Sequence, residues 1–244
     1  MRISAVIITK NEEKRIFECL QSLAGVADEI VVLDSFSSDH TVSIAEKSGA
    51  KVFQEAFEGY GASKNKANAL CTGDYILSLD ADERLDEELR KSILAIKSVS
   101  DTMPVYQMQR LNNYCGKWIR HGAWNPDRKI RLWRKGVGHW DLSEVHERLI
   151  LSEQWEPELL AGNILHYSYA TKEEHMSKIR KYAEKGALEL KKKGKKPLFI
   201  QRFISPSARW FRDFILNRGF LDGSAGLEIA NLSAYEVWLK YTMY

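Results

Sequence analysis

The stretch "GDYILSLDADERL", residues 73–85, runs from an almost unbroken apolar segment, Tyr75-Ile76-Leu77-Ser78-Leu79, into three carboxylates at Asp80, Asp82 and Glu83. A strand covered on both faces accounts for the apolar part. The acids need another reason, because two unit charges 4 Å apart repel by about 1 kcal/mol in water and about 4 in a partly dry site. Asp80 and Asp82 stand two positions apart, so a continuing strand would turn both to one side and Ala81 away. Paired carboxylates suit a hard divalent cation that arrives with a diphosphate, and Mg²⁺ in particular is held by one or two carboxylates plus substrate phosphates. Read alone, D-x-D equally describes strand-end and helix-capping acids.

The preceding residues decide for the ligand reading. "ISAVIIT" (3–9), "EIVVLD" (29–34) and "KVFQEAF" (51–57) are strands. Helical patterns follow them, with Asn11 expected to cap the first, Ser38 or Asp39 the second, and "SKNKANALC" forming the third. "DYILSLD" is then the fourth strand and "DEELRKSILAIKS" the fourth helix. Such alternation predicts an α/β fold with a mostly parallel sheet covered by helices. Ligands bind outside the carboxyl ends of such strands. Those ends read Thr9-Lys10-Asn11, Asp34-Ser35 and Asp80-Ala81-Asp82, so residues distant in sequence converge. A haloacid-dehalogenase-like phosphatase would place D-x-D after its first strand, where this chain has Thr9-Lys10-Asn11.

Beyond Pro104, "VYQMQRLN", "KIRLWRK" and "EVHERLIL" predict mixed or antiparallel strands added to the same sheet. After Tyr169 the chain turns helical, with one helix over "KEEHMSKIRKYAEKGALELKKK", another starting at Ser205-Pro206, and a last one near Ala225–Tyr241. The 244 residues fit one α/β domain with a helical appendage. The expected division is 1–170 and 171–244, with 1–100 and 101–170 as the halves of the first part. Three cysteines without CxxC spacing argue against a disulfide framework or a zinc site. No apolar run reaches 18 residues, so a spanning helix is not expected. A cytoplasmic protein, peripheral on the inner face of the membrane, fits these features.

"AVIITKNEE", "EIVVLDSFSSDHT", "GYGASKNKA" and "GDYILSLDADE" resemble the nucleotide-sugar-binding half of family-2 inverting glycosyltransferases with the GT-A fold. "GKWIRHGAW", "KIRLWR", "VHE", "HYSY" and "GFLDG" resemble, more narrowly, bacterial β-1,4-glucosyltransferases of the lipopolysaccharide inner core. The resemblance implies a UDP-sugar donor, Mg²⁺ or Mn²⁺, and a lipid-linked saccharide acceptor. It places Thr9, Asn11 and Glu12 around the nucleoside and Asp34 on the uracil imide. Asp80 falls near the ribose and the metal, and Asp82 is the direct metal ligand. Lys64 lies where a basic side chain could approach the diphosphate or the donor sugar, although an exposed helix lysine fits equally. Such enzymes often complete the metal shell with a histidine, and His146 is the expected one.

"HWDLSEVHERL" (139–149) is the second chemical centre. Inverting transfer needs a base for the acceptor hydroxyl, and a carboxylate is expected. Glu147 is the first choice and Glu144 the second, with Asp141 behind them. Arg128, Arg131 and Arg134 offer forks for phosphate, and Tyr114, Trp118 and Trp124 could stack on sugars. From Thr171 to Arg218 the chain carries 14 Lys and Arg against five Asp and Glu. That basic tail, with Trp210, Phe211, Phe214 and Ile215 beside Arg209, Arg212 and Arg218, suits an anionic membrane surface. A sugar-1-phosphate nucleotidyltransferase is the alternative enzyme, but the position of its Gly-rich phosphate loop reads "TKNEEKR". A nucleic-acid-binding protein would use the basic tail alone, and no nucleic-acid partner is expected because acids crowd the strand ends.

Overall fold

A computed structural model describes residues 1–99, 102–143, 147–192, 194 and 199–244. The chain forms two compact units, Met1–Arg110 with Arg128–His166, and Leu111–Asp127 with Tyr167–Tyr244.

In the first unit, β1 (Ile3–Thr9), α1 (Ile16–Leu23), β2 (Glu29–Asp34), α2 (Thr41–Lys47), β3 (Lys51–Gln54), α3 (Tyr60–Ala69) and β4 (Tyr75–Asp80) alternate as expected. These four strands are mutually parallel, with β1 between β2 and β4. Ile3, Ala5, Val6 and Ile7 are buried because helices cover both faces of that central strand. Then come β5 (Glu83–Leu85), α4 (Glu87–Lys97) and β6 (Val105–Tyr114), which crosses into the second unit. β7 (Lys117–Ile119) belongs to that unit, whereas β8 (Arg128–Arg134), β9 (Gly138–Trp140) and β10 (Leu149–Leu151) lie in the first. β11 (Glu158–Tyr169) crosses over again. The sheet order is β3-β2-β1-β4-β8-β6-β11-β5. β8 runs antiparallel to both β4 and β6, and β11 antiparallel to β5. β9 and β10 form a separate antiparallel pair. β6 and β8 thus extend the parallel half with antiparallel strands, as the change of pattern after Pro104 predicts, whereas the described end of "EVHERLIL" forms β10 in the separate pair with β9 rather than joining that sheet.

The second unit comprises the end of β6 paired with β7, the end of β11, α5 (Lys172–Lys192), α6 (Gln201–Phe211) and α7 (Gly223–Thr242). Tyr114, Ile119, Ile179, Ala225, Ile229 and Leu232 make its core. Among the described residues, no helix is long and apolar enough to cross a membrane.

Four local expectations are corrected. Asn11 does not cap α1. It sits at φ +56°, and the helix starts later, with Arg15 at the cap position and no side-chain cap. The strand ends at Asp80 and the chain turns at Ala81-Asp82, so strand alternation does not carry to Asp82. α6 starts at Gln201 rather than Ser205, leaving Pro206 inside it. At that interior position the ring's fixed φ still suits a helix, but the N–H that would reach the Arg202 carbonyl is missing and the ring crowds that carbonyl. α7 buries Ala225, Gly226, Ile229, Ala230, Leu232 and Ser233, whereas the sequence places Leu227, Ala230, Ala234, Val237, Trp238 and Tyr241 on one apolar side, and of these Leu227 and Trp238 face outward. The small residues decide this. A Cβ on Gly226 would come 1.9 Å from the Gly219 carbonyl oxygen, so the chain approaches there as only glycine permits.

Candidate active site

The parallel register brings the strand ends side by side, with Thr9 opposite Asp34 and Ile8 opposite Asp80. Beyond them, the loops after β1 and β2 lock together. Asn11 donates its backbone N–H to Ser37 Oγ at 2.8 Å and accepts from the Ser38 N–H at 2.8 Å. The Glu12 N–H donates to Thr41 Oγ1 at 2.8 Å. The short polar side chain of Asn11 makes its left-handed backbone tolerable. Asp34 is fully buried and accepts from the Ser37 N–H at 2.8 Å, from the Ser37 hydroxyl and from Gln54 Nε2 at 3.1 Å. Thr9 Oγ1, also buried, has no hydrogen-bond partner among the described residues.

The acidic end of β4 is compensated by side chains rather than left charged. Lys64 Nζ lies 3.0 Å from Asp80 Oδ1 and 2.8 Å from Glu147 Oε1. Arg131 Nη2 lies 2.8 Å from Asp80 Oδ2 and 3.1 Å from Glu83 Oε1, and Arg110 Nη1 is 3.2 Å from the same Glu83 oxygen. Glu83 Oε2 accepts the Asp80 backbone N–H at 3.0 Å. Three carboxylates and three cations therefore interlock, which removes most of the repulsion that the sequence raises. Burial pushes the Asp80 carboxyl up, but the charges of Lys64 and Arg131 outweigh it and hold the group well below the usual carboxylate range. Burial likewise opposes the charge on Arg131, and Glu83 and Asp80 more than restore it.

Asp82 stands apart from this lattice. Its Oδ2 lies 3.4 Å from His166 Nε2 on β11, and both side chains are mostly covered, at 19% and 18% exposure. β5 pairs with β11 so that His166 sits opposite Glu83, which delivers the imidazole beside the turn carrying Asp82. The sequence reading gave His166 no role, although "HYSY" was among the stretches that carried the resemblance. His146 and Glu144 lie outside the described residues.

α3 positions Lys64 and Glu147. Gly61, Lys64, Asn65 and Asn68 recur at helical spacing and form a polar stripe on this helix. Asn65 donates from Nδ2 to the Trp140 carbonyl and accepts the Trp140 N–H, both at 2.8 Å. Gly61 lets the Asp141 carbonyl approach so closely that an added Cβ would stand 1.8 Å from its oxygen. Lys64, 2% exposed, has its ammonium 4.6 Å from the centre of the Trp140 ring. It is no surface lysine. Asp141 itself accepts from the backbone of Ser143 and Arg148 and so shapes its loop. Of the arginine trio, Arg128 and Arg134 are exposed and Arg131 is buried.

The aromatic stretch takes a structural part in the second unit. Tyr114 and Trp124 pack edge to face at 5.7 Å within its core, and Trp118 meets Tyr167 at 5.3 Å. Lys117 Nζ donates to the Asp222 carbonyl at 2.5 Å, and Asp222 Oδ2 accepts the Arg120 and His121 N–H groups at 3.1 and 2.8 Å. "GKWIRH" and "GFLDG" are thus two sides of one joint.

The model of glycosyl transferase family 2 matches residues 4–148. An uncharacterized glycosyltransferase of Rickettsia typhi is 32% identical over 98% of this chain and 85% of its own length. The lipopolysaccharide core biosynthesis glycosyltransferase LpsC of Rhizobium meliloti is 29% identical over 99% of this chain and 93% of its own. Among solved structures, glucosyl-3-phosphoglycerate synthase from Mycobacterium tuberculosis, in complex with Mn²⁺, UDP and glucosyl-3-phosphoglycerate, aligns at 23% identity with a TM-score of 0.38. That alignment covers 46% of this chain and 44% of the synthase, so less than half of the solved chain is matched.

Proposed function

The chain belongs to glycosyl transferase family 2, is therefore a glycosyltransferase of the GT-A fold, and from that premise we propose that it transfers a hexose from a UDP-sugar, glucose first among donors, to a hydroxyl of a lipid-linked saccharide. The lipopolysaccharide inner core is the acceptor class that best fits the similarity to LpsC, and an anionic membrane surface is where such an acceptor is presented. Family membership favours this over nucleotidyl transfer. Residues 1–100 serve the donor, 101–170 the acceptor and the chemistry, and 171–244 form a helical extension.

The observation that carries the reading is the Asp82–His166 pair beside the aligned strand ends. A carboxylate oxygen and an imidazole nitrogen suit Mg²⁺ or, better, Mn²⁺. Asp82 and His166 would hold that ion from the protein side. Held there, a cation would supply Lewis-acid stabilisation of the negative charge on departing UDP. Thr9, Asn11, Glu12 and Asp34 form the nucleoside wall. Asp80 stays ionised between its two cations and orients Lys64 toward the diphosphate. Glu147 Oε1 accepts from Lys64 and takes the acceptor hydroxyl proton as that oxygen displaces UDP from the sugar carbon. Glu144 is the second choice for this step, and His146 a further metal ligand.

Transfer of hexose to truncated lipopolysaccharide, followed by mass spectrometry, tests the reading. Chelator should abolish turnover and Mn²⁺ restore it, and Asp82→Asn or His166→Ala should each lower turnover by on the order of a hundredfold. Glu147→Gln should leave UDP affinity unchanged while turnover falls by roughly 10²–10⁴. Full activity in excess chelator overturns the metal assignment, and unaltered turnover in Glu147→Gln moves the base elsewhere.

A further inference from the structure

The helix α6 is amphipathic, yet it is mounted the wrong way round for a protein surface. Its charged side faces the second unit, where Arg209 pairs with Asp213, a carboxylate only 2% exposed. Trp210 Nε1 donates to Asn231 of α7 at 2.8 Å on the same side. The opposite side faces outward and is apolar. Ile200, Phe203, Ile204, Phe211 and Ile215 recur at helical spacing, with exposures of 55, 55, 56, 50 and 39%. No residue of α6 is buried. A water-facing helix face normally carries polar residues, and contiguous apolar exposure marks an interaction surface. After α6, Leu216 and Leu221 are also exposed, at 64% and 55%.

Charge selects the occupant. From Lys191 to Arg218 the chain carries nine Lys and Arg against one acid, Asp213. A second copy of the chain would bring two such basic segments together and be repelled. An anionic surface that also accepts apolar side chains is complementary to both properties, and a helix with one strongly apolar face and basic flanks lies in a lipid interface. We propose that the outward face of α6 seats in the headgroup–acyl boundary of an anionic bilayer, making this enzyme monotopic through that helix. The inference deepens the membrane part of the proposed function and rests on it only for the site where acceptor is met.

Flotation of the full chain with phosphatidylcholine vesicles, with and without phosphatidylglycerol, tests it. Wild type should float with the anionic vesicles only. Phe203→Ser/Ile204→Ser should reduce that recovery about tenfold or more, with unchanged circular dichroism and unchanged transfer to delipidated acceptor. As an independent readout, Phe203→Trp should shift its emission to the blue on anionic vesicles. Flotation that ignores lipid charge, or a double variant that floats like wild type, overturns the proposal. So does absent flotation with a dimer, seen by light scattering, that the double variant dissociates, which would give the face to a second copy. In either case intact transfer to delipidated acceptor leaves the chemistry standing.

Discussion

Lys64 concentrates the physics of the site in one ammonium group. It is nearly inaccessible, bridges Asp80 and Glu147, and borders Trp140. Removing one partner from a covered ion pair costs more than the pair contributes, since the remaining charge loses its compensation. Asp80 keeps Arg131 and retains about a third of its side-chain surface, so Lys64→Met should destabilise by about 1–3 kcal/mol, less than a fully buried pair would. A double-mutant cycle with Glu147→Gln, read by urea unfolding, should return a coupling above about 0.5 kcal/mol, and a coupling near zero would show that the two do not act together. At this scale the sequence was informative where the strand pattern itself places a residue. Thr9, Asp34 and Asp80 fall at strand ends that any parallel reading aligns. Lys64 was ambiguous because its burial depends on β9, a three-residue strand about 75 positions away. His166 was missed for the same reason. Its nearness to Asp82 follows from β11 pairing with β5, and β5 is too short to announce itself.

Among the elements, α3 turns sequence into site geometry. Gly61 admits the Asp141 carbonyl, and the two Asn65 hydrogen bonds fix Trp140 one turn further on. Gly61→Ala would force a Cβ into the carbonyl oxygen, so either the helix or the β9 segment must shift. The expected result is a loss of about 1–3 kcal/mol in unfolding free energy, together with a fall in turnover larger than the change in UDP affinity. Normal stability with normal turnover would mean that the approach is slack. The alternation of strands and helices through Lys97 was legible because β-branched runs and helical stripes differ in period. The start of α6 and the buried face of α7 were not. Both are set by what the helix packs against, and apolar residues turned away from a core look in sequence like residues turned toward it.

For the molecule as a whole, the loss of stability between pH 6.5 and 4 should include a step set in the second unit. His175 stacks on Tyr169 at 4.3 Å and lies 5.6 Å from Trp124. Burial is the main cause that brings its pKa from 6.5 down to about 4, against the attraction of Glu228. The folded state therefore binds this proton less readily than the unfolded chain does. The contribution to stability is complete above pH 6.5 and is lost as the pH falls toward 4. Thermal midpoints followed by tryptophan fluorescence should drop across that window, and His175→Leu should flatten the drop; an unchanged slope would assign the sensitivity to other groups. The second unit is also assembled from two separated lengths of chain, and its core takes Tyr114 and Ile119 from one and Ile179, Ile229 and Leu232 from the other. The basic C-terminal region is accordingly not a detachable tether. A gene shortened after residue 170 would leave a large aromatic ring and its aliphatic neighbours stripped of their lining, and the product is expected in inclusion bodies rather than as a trimmed catalyst.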